Sequence, residues 1–177
     1  IAETKPDIVV PIEAREAALD GLLRSQPALA TRITCGGYPY CGVTILSRFP
    51  GRALDAGWPV EDGLQGSGWR EPRLRLTSAM LAVPLGDGSA MQLPVAAVHV
   101  SRNGGVLYNE TELAEIAREV RNLPDAERGI LAGDFNTDGI SYAMRRFEGA
   151  VALTRRTHLQ PTWPSSDNLF PPPLFGI

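Results

Sequence analysis

Residues 129–136 read Gly129-Ile130-Leu131-Ala132-Gly133-Asp134-Phe135-Asn136, and no other stretch of the chain says as much. An apolar run ends abruptly at Gly133 and is followed by Asp134 and Asn136, two positions apart. The run reads as a short strand over 129–133. Side chains at i and i+2 of an extended segment point the same way. A carboxylate and an amide therefore converge just beyond the strand's end. Asp can accept a proton from water, and Asn can orient a phosphoryl oxygen, so the pair suits metal and phosphate chemistry. Asp and Asn are equally the residues of an ordinary turn, and on spacing alone the turn is the commoner use.

Upstream, Leu113, Ile116, Ala117 and Val120 share one helical face, predicting a helix from about 109 to 123 that Pro124 closes. Before it, residues 91–100 form a strand ending in Ala96-Ala97-Val98-His99-Val100. Gly86-Asp87-Gly88 is a hairpin signal that pairs this strand with another over 74–83. Residues 51–72, rich in Gly, Pro, Trp and charge, read as one long irregular loop. A strand is expected over 42–47 and a helix over 14–24. Ile8-Val9-Val10-Pro11-Ile12 reads as a buried strand whose pairing Pro11 interrupts. Downstream, 141–148 reads as a short helix, and 161–177 is proline-rich and irregular. Locally pairing strands with helices between some of them give a mixed α/β assembly, without the regular alternation of a doubly wound parallel sheet.

The chain has 177 residues, 44% hydrophobic and 21% charged, which fits a single domain over 1–177 with a sizeable core. The net charge of −3 excludes the global basic field of a dedicated nucleic-acid binder. A phosphate substrate stays open, because a bound divalent cation supplies local positive charge. Arg145-Arg146 and Arg155-Arg156 are candidates for a local basic patch, though exposed helix and loop surface is the commoner role of such pairs. No apolar run approaches the ~18 residues of a membrane-spanning helix. The first residues, Ile1 to Lys5, lack the features of a signal peptide and an initiator Met, as in a chain already cut. No compartment follows from them. Cys35 and Cys41 flank a turn-rich loop, where either a disulfide or, slightly favoured, two free thiols would fit, and they make only a weak case for zinc.

Gly133-Asp134-Phe135-Asn136 resembles the GDFN signature of the endonuclease/exonuclease/phosphatase superfamily, whose fold is that of deoxyribonuclease I. Further landmarks follow in the family's order. Asp7-Ile8-Val9-Val10-Pro11-Ile12-Glu13 resembles the strand ending in the family's metal-binding Glu. Thr44-Ile45-Leu46-Ser47-Arg48-Phe49-Pro50 resembles the "ILSR-P" strand. Ala97-Val98-His99-Val100 resembles the strand with the first active-site His, and Pro161-Thr162-Trp163-Pro164 the "TWP" segment. The resemblance implies a four-layered α/β (α+β) sandwich: two mostly antiparallel sheets flanked by helices.

The same resemblance implies roles. Glu13 would ligate a divalent cation, Mg²⁺ first and Mn²⁺ as a substitute, since both suit carboxylate and water oxygens. Its plainer role is an acid near a helix start. His99 would donate a hydrogen bond to the phosphate as charge builds there; otherwise it is a strand-end His satisfied by backbone. Asp134 would position or deprotonate the attacking water, and Asn136 would hold the scissile phosphate. Of the two histidines, His99 is the expected participant and His158 the bystander.

The family pattern also has a first strand bearing a metal-binding Asn and a terminal Asp-His pair. On that pattern the first strand would precede Ile1 and the pair would follow Ile177, so the sandwich is expected to lack its first and last strands. Ser166-Asp167-Asn168 is only a superficial match to the terminal pair. Two functions follow as expectations. The first is metal-assisted hydrolysis of a phosphodiester or phosphomonoester, nucleic acid among the candidate substrates, by a monomer that is weakly active in this 177-residue form. The second is a binding module that keeps the fold without the chemistry.

Overall fold

A computed structural model describes residues 5–34, 42–54, 76–101, 105–137, 139–151 and 153–157. Within them the expected strand over 8–12 shrinks to β1 (Ile8–Val9). Pro11 has no N–H to give to a ladder. Its carbonyl still accepts from Thr44 N at 3.1 Å, and pairing resumes as an isolated bridge between Ile12 and Val43. Helix α1 (Glu16–Ser25) follows, two residues later than its expected start.

β2 (Thr31–Thr34) was not anticipated. It pairs antiparallel with β3 (Thr44–Ser47), which pairs on its other side with β1, giving a three-stranded sheet of order β1-β3-β2. A second correction concerns the expected loop over 51–72. Its first three residues form β4 (Gly51–Ala53), an edge strand on β5 (Leu76–Pro84) with Gly51 opposite Leu81. A Cβ on Gly51 would meet Met80 O at 2.9 Å, so glycine is what allows this close approach. Residues 55–72 of that loop, Cys35 and Cys41, His158, Ser166 to Asn168 and the segment 161–177 lie outside the described residues.

β5 turns through Leu85–Ser89 into β6 (Ala90–His99), as the Gly-Asp-Gly signal predicts. In the turn, Asp87 Oδ1 accepts from Ser89 Oγ at 2.6 Å and Ser89 N at 2.9 Å, which holds its carboxyl below the ordinary range. Helix α2 (Gly105–Arg121) carries the chain back to β7 (Ile130–Asp134), which lies parallel to β6. The second sheet therefore runs β4-β5-β6-β7, and β6–β7 is its one parallel pair. Helix α3 (Tyr142–Ala150) follows, with Ser141 Oγ accepting from Met144 N as its N-cap.

The two faces of the second sheet carry two cores. Ala79, Leu81, Val95 and Ala97 pack against Ile33, Val43 and Ile45 of the first sheet. On the opposite face Leu76, Ala96, Val98 and Val100 pack under Leu113, Ile116, Ala117 and Val120 of α2 and Ala143, Met144 and Phe147 of α3. Arg32, next in line to inward-facing Ile33, reaches outward to Glu16 of α1. The guanidinium's hydrogen bonds hold the Glu16 carboxyl below its ordinary range. The result is α1, three-stranded sheet, four-stranded sheet, α2 with α3: an α/β sandwich of four layers.

Candidate active site

β6 and β7 run parallel, so their C-terminal ends share one rim of the sandwich. His99 and Asp134 are register partners there, as the last residues of the two strands. Val100 N donates to Asp134 O at 2.8 Å, carrying the ladder one residue past His99. Gly133 makes this junction geometrically feasible. Its φ is +154°, and a Cβ there would fall 2.0 Å from Val98 O.

The chain then turns sharply. Asp134 Oδ1 accepts from Asn136 N at 2.9 Å, an Asx-type turn. Asn136 takes a left-handed φ of +45°, which Asn tolerates better than most residues. Its Nδ2 donates to Val100 O at 2.8 Å. An Asn amide carries two hydrogens, so one fixes the side chain to the sheet and the other is left for a ligand. The turn expected from spacing alone is present, and because Asn136 stands in left-handed backbone the i, i+2 alignment of an extended segment does not apply.

Glu13 comes from the other sheet. It follows the Ile12–Val43 bridge, and its N–H donates to Gly42 O at 2.6 Å. Its φ is +52°, a costly conformation for a long side chain. Its carboxylate is 71% exposed and brings Oε1 to 3.7 Å from Nε2 of His99, whose own side chain is 6% exposed. That separation exceeds a hydrogen bond but lies within ion-pair reach. Of the non-glycine residues at positive φ among the described residues, Glu13 and Asn136 are at this rim and Asp125 is elsewhere. Strained backbone of this kind gathers at functional sites.

The structure thus brings Glu13, His99, Asp134 and Asn136 to one place, three from the β6–β7 rim and one from the facing sheet. Among the described residues no group of three or more His, Cys, Asp or Glu is placed to hold a metal ion. The donor set does not fit a closed nitrogen-and-sulfur site of the zinc type. One exposed carboxylate does fit a hard cation that keeps most of its own water, as Mg²⁺ does.

Arg145, Arg146 and Arg155 each have a partner on or beside α3. Arg155 Nη1 donates to Gly139 O at 2.7 Å and to Glu148 Oε1 at 3.0 Å, tying the end of the described chain to the turn before α3. Arg145 Nη1 donates to Ile140 O at 2.7 Å. The Arg146 guanidinium lies 5.7 Å from the centroid of the Tyr142 ring and 3.9 Å from Glu110. Three of the four arginines brace or flank α3.

Sequence reading missed one residue next to this rim. Glu112 of α2 is 3% exposed, and Ser101 donates to it from N (3.0 Å, to Oε2) and from Oγ (3.4 Å, to Oε1). The signal was present: Glu112 stands at i−4 and i−8 from buried Ile116 and Val120, an acid on an apolar stripe.

The family model described as the endonuclease/exonuclease/phosphatase family matches residues 1–177. No curated protein matches the chain. Among solved structures, the crystal structure of beta toxin 275-280 from Staphylococcus aureus is similar, with a TM-score of 0.52 and 15% identity. The match covers 82% of this chain and 58% of that one, so the chain spans less than two thirds of its length. At that identity the likeness is one of fold.

Proposed function

This chain belongs to the endonuclease/exonuclease/phosphatase family, and from that premise we propose that it is a metal-dependent phosphoester hydrolase acting through in-line attack of water. The observation that supports this most is the meeting of Glu13 from one sheet with His99 of the other, beside the Asp134–Asn136 turn.

Glu13 is the residue to hold a divalent cation, Mg²⁺ or Mn²⁺, through its exposed carboxylate. When bound, the cation supplies positive charge to the phosphoryl oxygens. Asp134 has Oδ1 committed to the backbone N–H of Asn136, which leaves Oδ2 to orient a water and take its proton. Asn136, fixed by one amide hydrogen to Val100 O, presents the other to a phosphoryl oxygen. His99 adds a second donor from a nearly buried position. Such donors act on charge that grows in the transition state, and removing one costs roughly 10²–10³ in rate. The substrate is a phosphodiester or phosphomonoester, with nucleic acid among the candidates.

Hydrolysis of bis-p-nitrophenyl phosphate and nicking of plasmid DNA, each with Mg²⁺ and with EDTA, test this reading. Turnover that needs metal and falls by roughly 10²–10⁴ in Asp134→Ala is the expected outcome. A separate readout is Mn²⁺ binding followed by water-proton relaxation, which Glu13→Gln should weaken. Folded protein that neither turns over substrate nor binds Mn²⁺ through Glu13 overturns the reading and leaves a binding module of the same fold.

A further inference from the structure

Asn136 is useful to a phosphate only if its amide faces the right way. A free Asn side chain flips between two nearly isosteric states, one presenting N–H and the other oxygen. The bond that decides between them is Nδ2 to Val100 O, 2.8 Å. The same peptide group, Val100–Ser101, is gripped from its other end: Ser101 N donates to Glu112 Oε2 at 3.0 Å. Ser101 Oγ donates to the second oxygen, Oε1, at 3.4 Å. Glu112 is 3% exposed and sits on the buried stripe of α2. Burying a carboxyl is costly unless its hydrogen bonds compensate, and these two converge on one residue just past the end of β6.

We propose that Glu112 is a positioning residue for the hydrolysis, setting the amide of Asn136 through the Val100–Ser101 peptide. Two physical effects carry this. An acceptor on the peptide N–H raises the electron density on its carbonyl oxygen, so the bond from Asn136 strengthens with the bond to Glu112. The grip also fixes the peptide plane, because the carbonyl cannot swing without pulling Ser101 N off the carboxyl. Val100 N is held as well, by Asp134 O at 2.8 Å. Asp134 and Glu112 thus clamp the residue pair to which Asn136 is anchored. Glu112 lies in α2, and its hydrogen bonds to Ser101 are its route to Asn136. The proposal rests on the assignment of Asn136 to the phosphate, but its structural half can be tested without turnover.

The experiment compares Glu112→Gln, which keeps an acceptor oxygen, with Glu112→Met, which fills a similar volume without one. In ¹⁵N–¹H spectra, the Ser101 amide and the Asn136 side-chain amide should move together in both variants, and further in Met than in Gln. Movement of Ser101 with Asn136 unmoved overturns the relay, and Glu112→Gln alone suffices for this if Glu112→Met does not fold. In kinetics, Met should lower kcat roughly ten- to hundredfold with KM within about twofold, and Gln should restore most of it. In an Asn136→Ala background the Met change should cost less than about twofold, since partners acting as a unit are not additive. A full, additive loss there overturns the proposal. Coupled spectral shifts in a protein without turnover uphold the relay and count against the hydrolase reading instead.

Discussion

Glu13 and Asn136 both stand in left-handed backbone, and each is held there by a hydrogen bond to a neighbour, Glu13 N to Gly42 O and Asn136 N to Asp134 Oδ1. Gly133 is the counterpart that no other residue can replace. A Cβ would overlap Val98 O in the middle of the β6–β7 ladder. Gly133→Ala should therefore destabilise the protein by roughly 3 kcal/mol. A thermal melt would show this as a drop of about 2–4 °C per kcal/mol. A melting temperature within about 2 °C of wild type would mean that the ladder accommodates the methyl. At this scale much of the candidate site was legible. The polar pair Asp134 and Asn136 beyond an apolar strand was readable from the sequence, whereas the close approach of Val98 O that requires Gly133 is visible only in the fold. Glu112 was not legible in the same way. An acid within an amphipathic helix is normally a solvated residue; its spacing from Ile116 and Val120 places it on the apolar stripe, and the hydrogen bonds from Ser101 show what it does there.

Elements with their own internal signals were readable. The hairpin of β5 and β6 announces itself in Gly86-Asp87-Gly88, and α2 in its apolar stripe. β2 and β4 were not: β2 buries only Ile33 and β4 buries none of its three residues, so neither carries the apolar run that marks β3. Such strands take their identity from the strand they pair with, which local periodicity does not reveal. α3 combines both kinds of information. Ser141 caps it, accepting from Met144 N at 3.1 Å, and lies 3.3 Å from Thr137 Oγ1 in the turn after Asn136. Ser141→Ala should cost about 1 kcal/mol, read as a lower urea midpoint with an unchanged slope. A loss below about 0.3 kcal/mol would show that Arg145 and Arg155 carry the helix start without the cap.

The whole molecule divides unevenly about the candidate site. His99 and Asp134 end strands of the four-stranded sheet, with Asn136 in the turn after β7; one face of that sheet is covered by two helices and the other by the three-stranded sheet. Glu13 comes from the side of the three-stranded sheet, just past the isolated Ile12–Val43 bridge and four residues beyond the two-residue strand β1. The layering was read from family resemblance, since pattern alone reached only a mixed α/β assembly. The two faces of β5 and β6, apolar on both sides, show the physical reason for it. That asymmetry has a kinetic side. Segments with short ladders and few buried contacts open first in the native state. The rim is then a vise with one anchored jaw and one that yields. Amide hydrogen exchange should reveal it, with Ile8 to Glu13 trading their protons well before Val95 to His99. Equal protection of the two segments would mean that both jaws open only when the whole sandwich does.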